Sequence, residues 1–155
     1  MGSFRRIVAT AALSLAVAGF PQIASAGDPI RANAENLRRL DIMLMVTSLR
    51  CRTGPDNFQA DYQNFSKAHV ATLRSAASYL TADLTRRQGS ANAKRALDKM
   101  SVSMANSYGV GHPWMNCAEL KQATRELVKE RDVARLSDRA NELLASRPTG
   151  YLAAR

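Results

Sequence analysis

The sequence contains one tryptophan and two cysteines among 155 residues, and it lacks the local motifs by which many enzymes are recognised. It has no glycine-rich phosphate loop, no dinucleotide-binding fingerprint, no Gly-x-Ser-x-Gly, no His-Glu-x-x-His and no Cys-x-x-Cys-His. Nothing in the sequence therefore argues positively for an enzyme, and we expect neither a cofactor nor catalytic residues. Zinc would need four ligands, and the two histidines and two cysteines lack paired-ligand spacing, so we expect no metal.

The only long apolar run lies near the N-terminus, and it is too short to predict a membrane span. Arg5 and Arg6 precede an uncharged stretch over residues 7–20, which ends at Pro21. A small-x-small cleavage site, Ala24-Ser25-Ala26, follows. A span needs about 20 apolar residues, so these features favour a cleaved secretory signal peptide over residues 1–26.

Cleavage would leave a domain over residues 27–147 and a C-terminal tail, residues 148–155, that we expect to be frayed. Two of the 22 Lys and Arg lie in the signal peptide, so 20 remain against 13 Asp and Glu, a net charge of +7. We expect a periplasmic or secreted basic protein without a transmembrane span. An anionic envelope component or a protein partner fits that charge better than nucleic acid does, and the alternative is that the charge serves only solubility.

Both cysteines, Cys51 and Cys117, lie beyond the cleavage site. An even cysteine count in an exported protein indicates a disulfide, because that compartment is oxidising. Only one pairing within the chain is possible, so we predict a structural Cys51–Cys117 bond. A catalytic thiol is the alternative, but it would need a histidine partner and would have to escape oxidation.

Proline and glycine mark the joints of the mature chain, and the segments between them have helical periodicity. The sequence predicts an all-α fold, an up-and-down bundle of four or five helices with one disulfide. The centre of the first helix, residues 40–46, is apolar on nearly all sides, which predicts a central, buried helix. The predicted helices cover about residues 32–52, 57–87, 91–108, a stretch after Asn116, and residues 133–146.

Two capping boxes are predicted at helix starts, one formed by Asp56 with Gln59 and one by Asn116 with Glu119. Within the second helix, His69 lies on an apolar stripe that runs from Phe58 to Leu84. We interpret it as a buried core histidine, with a general base as the alternative.

The segment from Tyr108 to Trp114 is the longest irregular stretch, and it combines two glycines with a histidine and the only tryptophan. Loops that carry function often have this composition, so we take Tyr108, Gly109, Gly111, His112 and Trp114 as a candidate ligand loop. The alternative, which we favour, is a structural corner in which the tryptophan closes one end of the bundle.

Charged residues give two further hypotheses. Asp41 interrupts the apolar centre of the first helix, and Arg38, one turn earlier, is its predicted partner. A catalytic carboxylate is the alternative. Four basic clusters would form a binding patch only if they converged on one face, namely Arg38–Arg39, Arg50 with Arg52, Arg86–Arg87 and Lys94–Arg95.

Four segments, which together cover about half of the mature chain, carry a resemblance to a known family. They are LRRLDIMLMVTSLRCR (37–52), FQADYQNFSKAH (58–69), RALDKMSVSMANSYGVGHPWMNC (95–117) and ELKQAT (119–124). Together they resemble a family of small exported helical proteins of sphingomonad-type alphaproteobacteria, a family without an established activity. Some members bear the name S-adenosyl-L-homocysteine hydrolase, but that enzyme is much larger and has a dinucleotide-binding domain that this sequence lacks. The resemblance implies export and the two cysteines, and it implies no catalytic residues.

Three functions remain open from the sequence. The first is a periplasmic, non-catalytic binding or interaction protein. The second is a small cell-envelope hydrolase that uses His112 or Asp41. The third is a chaperone-like stress protein, which would expose an apolar patch built from Met43, Met45, Met100 and Met104.

Overall fold

The computed structural model describes residues 28–145, and every regular element in that range is an α-helix, as predicted. The predicted signal peptide, its predicted cleavage site and the predicted tail lie outside the described residues. The first predicted helix corresponds to one long helix, and a single helical turn precedes it. The helices are α1 Pro29–Ala32, α2 Ala34–Arg50, α3 Gln59–Ala68, α4 Val70–Gln88, α5 Ser90–Ser107, α6 Cys117–Lys129 and α7 Val133–Leu144.

The long helix α2 forms the centre of the bundle, which confirms the prediction from its apolar sequence. Leu37, Leu40, Met43 and Leu44 are fully buried, and α2 packs against each of the other six helices described. A helix that is apolar on all sides is stable only when neighbours surround it. Each of these side chains contributes about 1.5–3 kcal/mol through its burial.

The prediction of one continuous second helix is wrong, because the chain bends at His69 between α3 and α4. Its backbone there (φ −110°, ψ 15°) departs from helical values. Its ring turns into the core, where Nε2 lies 2.8 Å from the carbonyl oxygen of Leu127 on α6. The predicted apolar stripe nevertheless faces inward, with Phe58, Phe65 and Ala76 fully buried. His69 is thus the buried core histidine that the pattern predicted.

The two predicted capping boxes differ in outcome. Asn116 and Glu119 exchange both expected hydrogen bonds at the start of α6. The box at Asp56 is wrong, because α3 begins only at Gln59 and the chain before it is arranged to bury Phe58. The side chain of Asn57 instead accepts a hydrogen bond from the backbone N–H of Gln59, at 3.0 Å.

The predicted disulfide is present. It joins Cys51, which caps the C-terminal end of α2, to Cys117, the first residue of α6. The bond therefore fixes the end of the central helix beside the loop that precedes α6. Among residues 28–145, none of the helices has both the length and the apolarity needed to cross a membrane.

Candidate functional site

The loop between α5 and α6, residues 108–116, is anchored to the central helix. Tyr108 at its start is buried, and Arg50 at the end of α2 donates a hydrogen bond from Nη1 to the carbonyl oxygen of Gly109, at 3.1 Å. Gly111 has φ +112°, a conformation that favours glycine. A Cβ at that position would lie 3.5 Å from Nε of Arg50. The loop is thus shaped around the arginine side chain.

His112 uses both of its ring nitrogens to bind backbone groups. Nδ1 accepts hydrogen bonds from the backbone N–H groups of Met115, at 3.1 Å, and Trp114, at 3.4 Å. Nε2 lies 3.0 Å from the carbonyl oxygen of Leu143 on α7. Because Nδ1 accepts, we assign the proton to Nε2, which donates to that oxygen. Burial lowers the pKa of His112, and the bond to Leu143 opposes this effect in part.

The three rings of the candidate loop form one cluster at the end of α7. The rings of Tyr108 and His112 are stacked with centroids 6.1 Å apart, and those of His112 and Trp114 are nearly perpendicular with centroids 4.8 Å apart. Nε1 of Trp114 donates to the carbonyl oxygen of Ala145, at 3.2 Å. The five predicted loop residues therefore lie together. His112 and the glycines act as a structural corner, whereas a ligand role for the loop stays a prediction.

This geometry leaves His112 without a ring nitrogen for proton transfer. The carboxylate of Glu119 also raises the pKa of His112, but its effect is smaller than those of burial and of the bond to Leu143. Oε2 of Glu119 accepts a hydrogen bond from the backbone N–H of Asn116, at 2.8 Å, within the capping box. A general base needs a nitrogen within hydrogen-bond reach of a substrate proton, so the contacts of His112 do not favour the hydrolase hypothesis.

Asp41 belongs to a different cluster, between α2, α3 and α5. Arg38 is 3.8 Å from it, which confirms the predicted pair, and the hydroxyl of Tyr62 donates to Oδ1, at 3.2 Å. Burial raises the pKa of Asp41, while the bond from Tyr62 and the charge of Arg38 lower it. Burial likewise raises the pKa of Tyr62, to about 12. Nη2 of Arg38 donates to Ser101 on α5, so the cluster holds three helices together.

The basic clusters do not gather at one end of the bundle. Arg86 and Arg87 both contact the carboxylate of Asp83, at 2.7 Å each, beside the joint between α4 and α5. Lys94 lies near the start of α5, whereas Arg50 contacts Gly109 just beyond the end of that helix. Fifteen helical residues span roughly 22 Å, so these cations occupy opposite ends of the bundle.

The methionine patch required by the chaperone hypothesis is not formed. Met43 and Met104 are buried in the core, and Met100 is half-buried. Of the four, Met45 alone is exposed, with 38% of its surface accessible. A single exposed apolar side chain is ordinary on a protein surface.

An open groove of about 620 Å³ lies between α6 and α7, and we call it the α6–α7 groove. This volume lies within the range of about 300–1,000 Å³ in which proteins hold ligands. Trp114 is among its lining residues, so the groove adjoins the predicted loop. We call its apolar lining residues the floor, namely Trp114, Met115, Ala118, Ala123 and Leu143, and its polar and charged lining residues the rim, namely Glu119, Gln122, Glu126, Arg139 and Glu142.

The rim of the α6–α7 groove is acidic although the chain is strongly basic. It contains three glutamates and one arginine, and Arg139 is paired with Glu126, at 3.3 Å, and with Glu142, at 2.5 Å. Sequence reasoning missed this surface. The available signal was the one-turn spacing of Ala118, Gln122 and Glu126, which places a small residue and two polar residues on one helical face.

A second, smaller cavity of about 240 Å³ lies on the other side of the loop, beside the disulfide. Among its lining groups, His112 and Arg50 are engaged with backbone carbonyl oxygens. This cavity has less than half the volume of the α6–α7 groove, so we take the groove as the candidate site.

Neither a group of possible metal ligands nor a known relative gives further information about the groove. Within residues 28–145, no three side chains of His, Cys, Asp or Glu are grouped so that they could hold a metal ion. The resemblance drawn from the four sequence segments stays a prediction. No protein-family model, no curated protein and no solved structure matches this chain.

Proposed function

We propose that the protein is an exported, non-catalytic binding protein whose α6–α7 groove takes an apolar ligand or protein segment that carries positive charge. One observation carries the proposal: an apolar floor that includes the only tryptophan is bordered by three glutamates and one arginine. Apolar surface supplies the free energy of association, and a few charges at the edge select the ligand.

The local charge opposes the overall charge of the molecule. With residues 1–26 removed, the chain carries a net charge of +7, whereas the rim carries a net charge of −2 from its four charged residues. An overall positive field attracts anions in general. A preference of this groove for a cationic ligand would therefore come from the rim alone. Measuring that preference tests the role of the rim apart from the overall charge.

A binding role without catalysis agrees with the contacts of the candidate catalytic groups. Both ring nitrogens of His112 are hydrogen-bonded to backbone groups. Asp41 accepts a hydrogen bond from Tyr62 and is paired with Arg38. Export is supported by the disulfide, because such bonds persist in oxidising compartments.

Two amphiphiles with the same alkyl chain test the proposal. Dodecylguanidinium and dodecyl sulfate, each below its micelle concentration, are titrated into the chain spanning residues 27–155, and the emission of Trp114 is followed. Because Trp114 is the only tryptophan and lines the groove, its emission reports occupancy of this site. We expect dodecylguanidinium to bind at least about ten-fold more tightly, a difference of about 1.4 kcal/mol.

A pair of matched variants separates the rim from the overall charge. The double variant Glu126→Gln with Glu142→Gln removes two rim charges, and Glu35→Gln with Asp138→Asn removes two acidic charges elsewhere. The first should abolish the preference for the guanidinium amphiphile, and the second should retain it. The proposal fails if dodecyl sulfate binds as tightly as dodecylguanidinium to the unaltered chain, or if both double variants behave alike.

A further inference from the structure

We infer that His112 is the positioning residue of the α6–α7 groove, and that protonation of its ring releases part of the floor and weakens ligand binding. This inference rests on the proposed function and adds the regulation of the same site. Its starting point is the set of three hydrogen bonds that the neutral ring makes to backbone groups. All three partners, Trp114, Met115 and Leu143, belong to the floor.

The ring of His112 connects two parts of the floor that come from different elements. Nδ1 accepts hydrogen bonds from the backbone N–H groups of Trp114 and Met115, in the loop before α6. Nε2 donates to the carbonyl oxygen of Leu143, in the last turn of α7. The position of the loop part relative to the α7 part therefore depends on this one side chain, together with the bond from Nε1 of Trp114 to Ala145.

Only the neutral ring can make all three bonds. A proton on Nδ1 would face the N–H groups of Trp114 and Met115, which would then lose their acceptor. A partly buried donor without an acceptor is unfavourable, so the ring must turn or the loop must move away. The bond from Nε2 to Leu143 is compatible with both forms of the ring. Protonation therefore detaches the loop part of the floor while the α7 part keeps its contact.

The surroundings of His112 allow its ring to take up a proton in mildly acidic solution. The ring is half-buried, and it also lines the small cavity beside the disulfide. Tyr108 stacks on the ring, Arg50 of α2 lines the same cavity, and Glu119 lies on α6. From α7 the ring meets the carbonyl oxygen of Leu143. Burial lowers the pKa of His112 from 6.5 and outweighs the opposing effects of Leu143 and Glu119.

The affinity of the groove for its ligand should therefore depend on pH in one direction. Because the neutral ring holds the floor in place, the affinity is complete above 6.5 and is lost as the pH falls through the pKa that His112 has in the folded chain. The effect is reciprocal, since a ligand that needs the neutral ring makes the ring harder to protonate. Ligand binding should thus lower the pKa of His112 further.

The experiment titrates dodecylguanidinium into the chain spanning residues 27–155 at pH 7.5 and at pH 5.5, with the emission of Trp114 as the signal. We expect binding at pH 5.5 to be about three-fold weaker or more, which requires the ligand to lower the pKa of His112 by about 0.5 or more. Two-dimensional NMR spectra of the histidine rings measure that pKa with and without ligand. His69, the only other histidine, does not line the groove, so its ring signals are the internal reference.

Two variants separate positioning from a general structural role. In His112→Asn the amide oxygen takes the place of Nδ1, because both atoms are bonded to Cγ, and it accepts from Trp114 and Met115 at either pH. His112→Gln has no acceptor in that place. We expect His112→Asn to bind within about two-fold of the parent at pH 7.5 and equally well at pH 5.5, whereas His112→Gln should bind about three-fold more weakly at both. Urea denaturation establishes first that each variant is folded, and the NMR measurement needs only the parent.

Two controls address the charges around the groove. The double variant Glu126→Gln with Glu142→Gln should bind less tightly but keep the affinity ratio between the two pH values. Repulsion between a charged ring and the guanidinium would also give such a ratio. At roughly 0.5 M salt the Debye length is about 4 Å, so repulsion weakens whereas detachment of the floor does not. The inference is overturned if the parent binds equally at both pH values, if His112→Asn keeps the pH dependence of the parent, or if the ratio disappears at this salt concentration.

The outcomes also separate this inference from the proposed function. If the parent prefers dodecylguanidinium to dodecyl sulfate with an affinity that does not change with pH, the proposed function stands and the inference fails. If the parent shows no such preference, the proposed function fails. Hydrogen exchange of the Met115 amide in the ligand-free protein then decides whether His112 holds the floor, because its protection should fall between pH 7.5 and pH 5.5 only if protonation detaches the loop.

Discussion

Nε2 of His112 lies 3.0 Å from the carbonyl oxygen of Leu143, so the loop before α6 is attached to the last turn of α7. Nδ1 of the same ring accepts the backbone N–H of Met115, at 3.1 Å. These contacts need the neutral ring, because a proton on Nδ1 would face N–H donors. His112 therefore stabilises the loop only while it is uncharged.

The stability of the protein should fall as the pH falls below about 6.5. Burial lowers the pKa of His112 from 6.5 in the folded chain, so the unfolded chain binds a proton at a higher pH than the folded chain does. The free energy of unfolding is then highest above 6.5 and decreases as the pH falls towards the folded pKa of His112. Urea denaturation at several pH values between 8 and 5 measures this dependence.

The variant His112→Gln provides the control for that pH dependence. It should lower the free energy of unfolding at pH 8 by about 1–3 kcal/mol, because backbone groups lose their partner. Between pH 8 and 5 its stability should vary less than that of the parent. A variant with the same pH dependence as the parent would show that other groups cause it.

Gly111 should tolerate substitution poorly, whereas Gly109 should tolerate it well. Gly111 has φ +112°, and an added Cβ would lie 3.5 Å from Nε of Arg50. Gly111→Ala should therefore reduce the free energy of unfolding by about 1–3 kcal/mol, the cost of a side chain in a sparsely populated backbone region. Gly109 has no positive φ, so Gly109→Ala should cost less than about 0.5 kcal/mol in the same urea experiment. Equal effects would contradict this assignment of backbone strain.

Loss of the disulfide should destabilise the protein strongly. The bond joins residues 66 positions apart, and in the chain-entropy model a loop of this length is worth about 4 kcal/mol. The double variant Cys51→Ser with Cys117→Ser should lower the urea midpoint by the amount that corresponds to this loss of free energy. Adding reductant should shift the parent to the midpoint of the variant and leave the variant unchanged. A parent that does not respond to reductant under unfolding conditions would contradict the prediction.

The features that the sequence predicted correctly depend either on local residue pattern or on there being only one possible pairing. The apolar centre of α2 follows from its residues alone, and the capping box of Asn116 spans three positions. The disulfide followed because the chain has only two cysteines. The cap at Asp56 failed because burial of Phe58, a tertiary effect, decides where α3 begins. The packing of Phe58 cannot be predicted from the residues around it in the sequence.

The α6–α7 groove was missed for a related reason. Glu126 and Arg139 look like solvated positions on two amphipathic helices, and their contact at 3.3 Å exists only once the helices pack. Trp114 was recognised as unusual, but the sequence could not show that its Nε1 would bind Ala145, 31 residues later. Concave surfaces between separate elements arise from crossing geometry, which periodicity does not specify.

The cluster around Asp41 gives a prediction in which burial and pairing compete. Burial raises the pKa of Asp41 above 3.8, so its contribution to stability is complete below that pH and is lost as the pH rises through the folded pKa. Burial in the folded chain therefore disfavours the charged form of Asp41 relative to the unfolded chain. Asp41→Asn keeps an acceptor for Tyr62 and removes the buried charge, so it should leave the free energy of unfolding unchanged or raise it by up to about 1 kcal/mol.

Tyr62→Phe supplies the opposite change in the same cluster. It removes the hydroxyl that donates to Asp41, at 3.2 Å, and leaves a mostly buried carboxylate with one partner fewer, which should cost about 1–3 kcal/mol. In the Asp41→Asn background the same substitution should cost less, because an amide is easier to leave unpaired than a charge. A double-mutant cycle by urea denaturation at pH 7 measures this coupling. If Asp41→Asn instead lowers stability by more than about 1 kcal/mol, the attraction to Arg38 outweighs burial, and the carboxylate is retained for its ion pair.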